Sequence, residues 1–330
     1  MNFTYRNSCP ICGKKKALVP FLKLQHSNIL ECKDCHFHFL QNIKVKSYVE
    51  DLDYTTLPHL LGNYCNAKIN LKYLKRAKVF LKNSNIKYLD IGTSYGFLMD
   101  FAREKLNFEA EGVELGVTMA DTAEKLGFTI YRKPIENLNF KNKYDLISIM
   151  EVIEHIEDVK SFLSDTKRLL KKNGLVIIKT DNFYSWIVKT LKEGFWKYIP
   201  FEHINYFSFE SLEKLLAQFG FKCIARYYEV PLSNYLWWSR GIITKFLNYQ
   251  NFYNNFIKPN CNASILHLQQ SQHLAVKKFL SSKNFKQEII QAVRFKNKSI
   301  RDSLNNLPIV SVPVSGLGTM MVLIFKLEKK

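Results

Sequence analysis

The spacing of hydrophobic positions along the middle of the chain changes repeatedly between a strand-like and a helix-like period. Short runs of apolar, β-branched and aromatic residues predict strands at residues 86–91, 110–114, 144–150, 175–180, 221–229 and 319–327. Between these runs, apolar residues recur every three or four positions, which predicts helices. Regular alternation of strands and helices predicts an α/β fold with a doubly wound sheet.

Several helices can be placed by their apolar faces and end signals. Residues 158–171 present one apolar face, made of Val159, Phe162, Leu163, Thr166, Leu169 and Leu170. Another helix follows Ser208, a predicted N-cap, and ends at Gly220. A connecting helix ahead of the first strand has helical spacing at Ile69, Tyr73, Ala77 and Phe80.

The composition is that of a globular protein with unevenly distributed charge. Of the 330 residues, 47% are hydrophobic and 14% aromatic, which excludes global disorder. The net charge is +19, but residues 51–230 carry 26 basic and 23 acidic side chains, whereas residues 231–330 carry 14 and 3. The basic character therefore belongs to the flanks of a nearly neutral middle. Because there is no apolar run of about 18 residues and no apolar N-terminal stretch, we expect a cytoplasmic protein.

Four cysteines near the N-terminus form two closely spaced pairs, Cys9 with Cys12 and Cys32 with Cys35. A two-residue gap lets a tight turn direct both thiolates at one ion, and two such turns complete a tetrahedron. The pattern predicts a four-cysteine zinc ribbon with a structural role, since no position remains for water. The ribbon is either a packing module or a contact for nucleic acid.

A glycine-containing turn follows the first predicted strand of the α/β region. The strand ends near Asp90, and Gly92, Ser94 and Gly96 lie in the turn that opens the next helix. The second predicted strand ends at Glu114. Ligands of such sheets bind beyond the carboxyl ends of the strands, where glycine permits close backbone approach and a carboxylate can accept ribose hydroxyls.

These residues resemble the first motifs of class I S-adenosylmethionine-dependent methyltransferases, with Ser94 in place of the middle glycine. The resemblance implies that Gly92, Ser94 and Gly96 line the methionine part of S-adenosylmethionine and that Asp90 orients it. Glu114 matches the ribose-binding acid of the family. A nicotinamide-binding fold is the competing interpretation, but it requires Gly-x-Gly-x-x-Gly, which this turn lacks.

Downstream segments resemble the same family. Ile135 and Glu136 resemble the loop beside the adenine. Glu151 precedes the segment Val-Ile-Glu154-His155, which is similar to the signature after the fourth strand. The resemblance implies that Ile135, Glu136 and Glu151 also bind the cofactor. The resemblance implies a Rossmann-like, seven-stranded methyltransferase sheet. It adds an N-terminal four-cysteine zinc ribbon and a helical insertion before the last strand.

The acceptor is predicted from a segment between the fifth strand and the following helix. The sequence Glu202-His203-Ile-Asn-Tyr-Phe-Ser resembles a stretch of methyltransferases that modify sugars in polysaccharide and antibiotic pathways. The resemblance implies that His203 is a general base and that Glu202 polarises it or holds a sugar hydroxyl. The alternative is that His203 only fixes the loop. We therefore expect O- or C-methylation of a sugar or glycan precursor.

The predicted domains are a zinc ribbon (1–45), a cofactor-binding core (46–230), a basic helical insertion (231–317) and a final core strand (318–330). The insertion is interpreted as a cap, with a phosphate-bearing acceptor or an acidic membrane surface as alternative partners. Two other functions stay open. An RNA methyltransferase would use the ribbon and the basic flanks to hold phosphates, and a non-catalytic binding protein would retain only the fold.

Overall fold

A computed structural model of the chain describes residues 3–24, 27–44, 57–138, 143–191, 195, 198, 203–229, 282, 284–287, 290 and 319–328. The predicted base partner Glu202 and most of the predicted insertion lie outside the described residues. Among the residues that are described, no helix is long and apolar enough to cross a membrane.

The N-terminal region consists of short antiparallel strands. They are β1 (Phe3–Tyr5), β2 (Leu18–Lys23), β3 (Asn28–Cys32), β4 (Phe37–Leu40) and β5 (Asn42–Lys44). Strand β1 pairs with β5, and β2, β3 and β4 form an antiparallel sheet. The hairpin between β3 and β4 contains Cys32 and Cys35, and Cys9 and Cys12 lie in the turn ahead of β2. This region contains the predicted ribbon cysteines.

The α/β region follows in alternating order. Its helices are α1 (Leu57–Lys78), α2 (Phe97–Leu106), α3 (Val117–Lys125), α4 (Val159–Leu169), α5 (Trp186–Leu191) and α6 (Phe209–Ala217). Its strands are β6 (Lys87–Ile91), β7 (Glu109–Val113), β8 (Thr129–Tyr131), β9 (Tyr144–Met150), β10 (Leu170–Asp181), β11 (Asn205–Tyr206), β12 (Phe221–Glu229) and β13 (Met320–Leu327). Two 3₁₀ turns, Ile135–Asn137 and Ile153–His155, follow β8 and β9.

Seven of these strands form one sheet in the order β12-β13-β10-β9-β6-β7-β8. Strands β8, β7, β6, β9 and β10 run parallel, and β13 is antiparallel to both of its neighbours. From β6 the chain adds strands outward through β7 and β8, then returns to add β9 and β10 on the other side. This reversal places a topological switch point between β6 and β9, where doubly wound sheets bind ligands.

The predicted elements are confirmed except at their bounds. Strands β9 and β12 have the predicted limits, while β10 is longer than predicted and begins at Leu170, so the preceding helix ends at Leu169. The three-residue strand β8 was too short to be predicted from the pattern. The connecting helix is α1, which contains Ile69, Tyr73 and Ala77 but ends at Lys78, so Phe80 lies beyond it and is 44% exposed. The prediction that Phe80 shares its apolar face was wrong.

The N-terminal region and the α/β region share a hydrophobic core. Strand β11 extends the sheet of β2, β3 and β4, pairing antiparallel with β4. The rings of Phe37 and Phe207 lie 5.0 Å apart, and the buried cysteines belong to the same apolar cluster as Ile149 on the central sheet. The four-cysteine region is therefore packed onto the α/β region.

A small described part of the predicted insertion packs on α2. Phe285 is buried in the cluster formed by α1 and α2, and Lys286 makes ion pairs with Asp100 and Glu104 of α2. These contacts place residues 284–287 against the helix that follows the glycine turn. The predicted domain limits themselves stay a prediction.

Candidate functional site

The loop after β6 makes a tight turn at the carboxyl end of the sheet. Gly92 has a φ of +76°, and a Cβ there would lie 2.4 Å from Val152 Cγ2, in the segment after β9. Gly96, the N-cap of α2, has a φ of +79°, and a Cβ there would lie 2.8 Å from the Cβ of Ala123. Glycine is required at both positions because the backbone is left-handed and a neighbour occupies the space of a methyl group. Gly92 thereby brings the two loops at the switch point into contact.

Glu114, directly after β7, connects this turn to the next loop. Its Oε2 accepts a hydrogen bond from the Ser94 amide (2.7 Å), and its Oε1 accepts from the amides of Leu115 (2.9 Å) and Gly116 (2.8 Å). Ser94 has a φ of +51°, which explains why the resembling motif has glycine there. The half-buried carboxylate lies beside the glycine turn, at the end of the second strand of the α/β region, which is where the ribose of a bound adenosine contacts an acid in such sheets.

Asp90 lies beneath the turn. It is 3% exposed and accepts a hydrogen bond from the hydroxyl of Ser148 on β9, which lies 2.6 Å from the hydroxyl of Tyr88. Burial raises the pKa of Asp90 to about 6, against the opposing effect of the hydrogen bond from Ser148. These contacts support the turn from the sheet. A direct contact of Asp90 with the methionine part of a cofactor stays a prediction.

The predicted adenine loop forms the 3₁₀ turn Ile135–Asn137. Ile135 is buried in the core and Glu136 is exposed. The turn follows β8 at the same end of the sheet as Gly92 and Glu114, because β6, β7 and β8 are parallel. The structure thus places the predicted cofactor residues along one edge of the sheet.

Glu151, the first residue after β9, contacts the neighbouring strand β10. It has a φ of +58°, and its amide donates a hydrogen bond to the carbonyl of Lys179 on β10. Lys179 is 3% exposed, and its Nζ lies 3.4 Å from Glu151 Oε1, 3.1 Å from Glu229 Oε2 and 3.0 Å from Asn70 Oδ1. Burial lowers the pKa of Lys179, but the two carboxylates outweigh burial, so the pKa is raised and the lysine stays charged.

Four polar side chains lie beside the two loops at the switch point and are called here the histidine cluster: Glu154, His155, Asp181 and His203. The rings of His155 and His203 meet edge to face with centroids 4.8 Å apart, and His203 Nδ1 is 3.4 Å from Asp181 Oδ2. Glu154 is buried and accepts a hydrogen bond from Thr180 Oγ1 (3.0 Å). Asp181 ends β10, so the carboxyl ends of β9 and β10 bring these groups together. Because Val152 contacts Gly92, the histidine cluster adjoins the glycine turn.

Two groups of side chains in the described part of the chain could hold a metal ion. The ligand atoms of Glu154, His155 and His203 lie within 4.8 Å of one another. The four cysteine sulfurs form the other group, with Cys9–Cys35, Cys12–Cys32 and Cys12–Cys35 separations of 3.4, 3.5 and 3.9 Å. Tetrahedral zinc with bonds of about 2.3 Å requires sulfur separations of about 3.8 Å. The cysteine geometry therefore fits zinc.

The residues at the switch point also fit an adenosine-bearing cofactor. An acid follows the second strand of the α/β region, a glycine turn follows the first, and both lie at the carboxyl end of the sheet beside the switch point, where such ligands bind. The histidine cluster adjoins the glycine turn and can accept or hold a proton. The arrangement can align a bound acceptor with a cofactor and remove a proton from it.

Sequence reasoning missed several residues of this region. Asp181 ends a strand, which is the pattern that singled out Glu114, and Lys179 is a lone charge in an apolar strand. The second signal holds for the predicted strand 175–180, in which Lys179 is the one charged residue, and both signals were present in the sequence. Arg6, whose guanidinium contacts the segment after His203, carried no such signal because its partners are 151 to 199 positions away.

Comparison with known proteins decides the class of this region. The family model described as a methyltransferase domain matches residues 66–226. The chain carries a methyltransferase domain. The prediction of a methyltransferase is thereby confirmed at the level of the domain, which includes the glycine turn, Glu114 and the histidine cluster.

Curated relatives resemble only part of the chain. A ubiquinone biosynthesis O-methyltransferase of Pelagibacter ubique is 32% identical over 126 residues, covering 36% of this chain and 50% of the relative. One of Bartonella quintana is 34% identical over 127 residues, covering 36% and 51%. The chain thus spans about half the length of the curated relatives it matches.

Solved structures resemble the chain at lower identity. A possible histamine N-methyltransferase of Thermotoga maritima has a TM-score of 0.44 and 17% identity, covering 77% of this chain and 87% of its own. A phosphoethanolamine-type N-methyltransferase of Haemonchus contortus, solved with S-adenosylhomocysteine, has a TM-score of 0.49 and 16% identity, covering 94% and 71%.

Proposed function

We propose that the methyltransferase domain transfers a methyl group from S-adenosylmethionine to a hydroxyl group of a small acceptor. The observation that carries this proposal is the pairing of His203 with Asp181 beside the glycine turn, with 3.4 Å between His203 Nδ1 and Asp181 Oδ2. An aliphatic or phenolic hydroxyl must lose its proton on methylation, and histidine has the pKa range suited to accept one near neutral pH.

The residues divide this task between binding and proton transfer. When bound, S-adenosylmethionine supplies a methyl group activated by the positive charge of its sulfur. Glu114 accepts hydrogen bonds from the ribose hydroxyls. Gly92, Ser94 and Gly96 form the turn beside the methionine part, and Asp90 supports this turn from below. His203 takes the acceptor proton at Nε2, while the Asp181 carboxylate, 3.4 Å from Nδ1, favours the protonated ring that results.

The acceptor is proposed from two kinds of support. The segment around His203 resembles sugar methyltransferases, which favours a sugar or glycan-precursor hydroxyl, and the basic flanks favour one that bears phosphate. The curated relatives are named for ubiquinone biosynthesis, which makes a catechol-like hydroxyl the second candidate. We expect a cytoplasmic enzyme with structural zinc on Cys9, Cys12, Cys32 and Cys35. Nucleic acid and an acidic membrane surface stay alternative partners.

Cofactor binding is tested first by calorimetric titration with S-adenosylhomocysteine. We expect Glu114→Gln to weaken binding by about tenfold, because it removes a charged acceptor of hydrogen bonds. Glu109→Gln, at the opposite end of β7 and exposed, is the matched control and should bind like the wild type. A wild-type protein that is folded and zinc-loaded but does not bind would refute the proposal.

Methyl transfer is tested with radiolabelled S-adenosylmethionine and two probes, UDP-glucose and the catechol protocatechuate. His203→Gln should lower kcat on the accepted probe by about a hundredfold or more while cofactor affinity is retained. Activity unchanged in His203→Gln would overturn its role as base. Label recovered in RNA rather than in either probe would favour the RNA methyltransferase.

The same cluster supports a second candidate mechanism. Glu154, His155 and His203 could together hold a divalent cation that lowers the pKa of the acceptor hydroxyl, in which case His203 is a ligand and not the base. Chelation at a dose that leaves the cysteine zinc in place separates the two mechanisms. Activity restored only by added Mg²⁺ or Mn²⁺ would favour the cation.

A further inference from the structure

The two histidines of the histidine cluster belong to two segments that are distant in sequence. Glu154 and His155 belong to the turn after β9, whereas His203 precedes β11. The amide of Ile204 donates to the carbonyl of Glu154 at 2.9 Å, which joins the two segments next to both functional side chains. The relative position of the two histidines therefore depends on what holds residues 203–206 against this turn.

Asn205 supplies the main link between the segments. Its side chain is fully buried, and its Nδ2 donates to the carbonyls of Ile153 (3.2 Å) and Ile156 (2.6 Å), on either side of Glu154 and His155. Because both donors of this amide are used on the turn, only its Oδ1 faces away from the turn.

Arg6 completes the link from the four-cysteine region. Its Nη1 donates to Asn205 Oδ1 (3.0 Å) and to the carbonyl of Ile204 (3.2 Å), and its Nη2 donates to the carbonyl of Glu157 (3.0 Å). Burial lowers the pKa of Arg6 to about 10, which leaves the guanidinium charged at neutral pH. One planar group thus bonds both segments of the cluster, and only a guanidinium has the fork geometry to do so.

The strands beside Arg6 are tied to the four cysteines. Strand β4 begins two residues after Cys35 and pairs with β11, and the Leu40 amide donates to the carbonyl of Ile204 at 3.0 Å. The Arg6 amide donates to the carbonyl of Gln41, just after β4. A shift of the β3–β4 hairpin would therefore move both Arg6 and the backbone that follows His203.

We propose that Arg6 is a positioning residue that sets the separation of His155 and His203, and that metal binding by the four cysteines controls the geometry of the cluster through Arg6 and β4. The inference rests on the proposed function for its catalytic consequence. It assigns the N-terminal region a role in proton transfer rather than in cofactor binding, because Glu114 and the glycine turn make their contacts within the α/β region.

The test is histidine NMR of the zinc-loaded full chain, with His155 and His203 assigned by substitution with Gln. At a centroid distance of 4.8 Å each ring shifts the resonances of the other, so His203→Gln should change the His155 signals. In Arg6→Ala the mutual effect of the two histidine rings on each other's resonances should be lost. Millimolar guanidinium should restore it by binding where the Arg6 guanidinium lies in the wild type. Arg6→Lys, which keeps the charge but not the fork, should behave like Arg6→Ala.

Arg226→Ala is the matched control, because its exposed guanidinium packs on Phe209 and pairs with Glu213 away from the cluster. It should leave the mutual effect intact. If His203→Gln still changes the His155 signals by the wild-type amount in Arg6→Ala, the positioning role of Arg6 is overturned. If it does so after zinc removal, the control of the cluster geometry by metal binding is overturned. Arg6→Ala should bind S-adenosylhomocysteine within about twofold of the wild type, since a tenfold change would place Arg6 in the cofactor site. Absence of binding in the wild type would refute the proposed function and leave the NMR result standing.

Discussion

Glu229 is the acid on which a buried charge network depends. Its carboxylate lies 3.1 Å from Lys179 Nζ and 3.0 Å from Lys72 Nζ, and it accepts a hydrogen bond from the Tyr73 hydroxyl at 2.7 Å. The residue is 5% exposed and ends β12, whereas Lys72 and Tyr73 belong to α1. The network therefore fastens α1 to the carboxyl end of the sheet, next to Glu151.

We predict that Glu229→Gln lowers the free energy of unfolding by about 3 kcal/mol at pH 7. Burial raises the pKa of Glu229, but Lys179 and Lys72 outweigh burial and lower the pKa from 4.5 to about 2. A shift of about 2.5 units corresponds to about 3 kcal/mol at 1.36 kcal/mol per unit. The value agrees with the cost of about 3–5 kcal/mol for removing one partner of a buried ion pair.

The pH dependence has a definite sign. The pKa is lower in the folded state than in the unfolded state, so this stabilisation is fully present above about pH 5 and is lost as the pH falls toward 2. The difference in free energy of unfolding between wild type and Glu229→Gln should therefore decrease from about 3 kcal/mol at pH 7 to about 1.4 kcal/mol at pH 3.

The measurement is urea unfolding followed by far-UV circular dichroism at pH 7 and pH 3. Glu328→Gln is the matched control, since its carboxylate is 57% exposed and pairs at 3.6 Å with the exposed Lys222. The control should change stability by less than about 1 kcal/mol at either pH. A Glu229→Gln loss below about 1 kcal/mol at pH 7, or one that is the same at both pH values, would refute the reasoning.

Three further predictions follow from the turn and the ribbon. Gly92→Ala should weaken S-adenosylhomocysteine binding in calorimetry, because its Cβ would lie 2.4 Å from Val152 Cγ2. Adding Val152→Ala should recover part of the affinity, and a double variant that binds no better than Gly92→Ala would contradict this explanation. Because burial raises the pKa of Asp90 from 3.8 to about 6, this group lowers the free energy of unfolding as the pH rises from about 4 to 7. The stability of Asp90→Asn relative to wild type should therefore rise by about 2.4 kcal/mol over that range in urea unfolding, and a difference that does not change with pH would contradict this. Cys32→Ser should lower bound zinc, measured by mass spectrometry of the native protein, and lower the melting temperature, whereas an unchanged zinc content would exclude this site.

Local sequence signals predicted most elements of the α/β region. Val159, Phe162, Leu163, Thr166 and Leu169 are buried as their spacing indicates, and Ser208 caps α6 with its side chain bonded to the Ser211 amide. These features succeed because helix faces and caps depend on residues three or four positions apart. Strand β8 and the early start of β10 could not be predicted, since pairing with a neighbouring strand decides them.

The sequence by itself determined the classes of site this protein contains. The spacing of Cys9, Cys12, Cys32 and Cys35, the glycines at 92 and 96, and acids at strand ends indicate a thiolate cluster and a cofactor crevice, because turn geometry makes such sites local. Only the tertiary structure joined Asp181 to His203 and Arg6 to Asn205, over separations that no local pattern spans. The parallel strands bring their carboxyl ends to one edge, and β11 joins the ribbon sheet, so the fold decides which distant side chains meet.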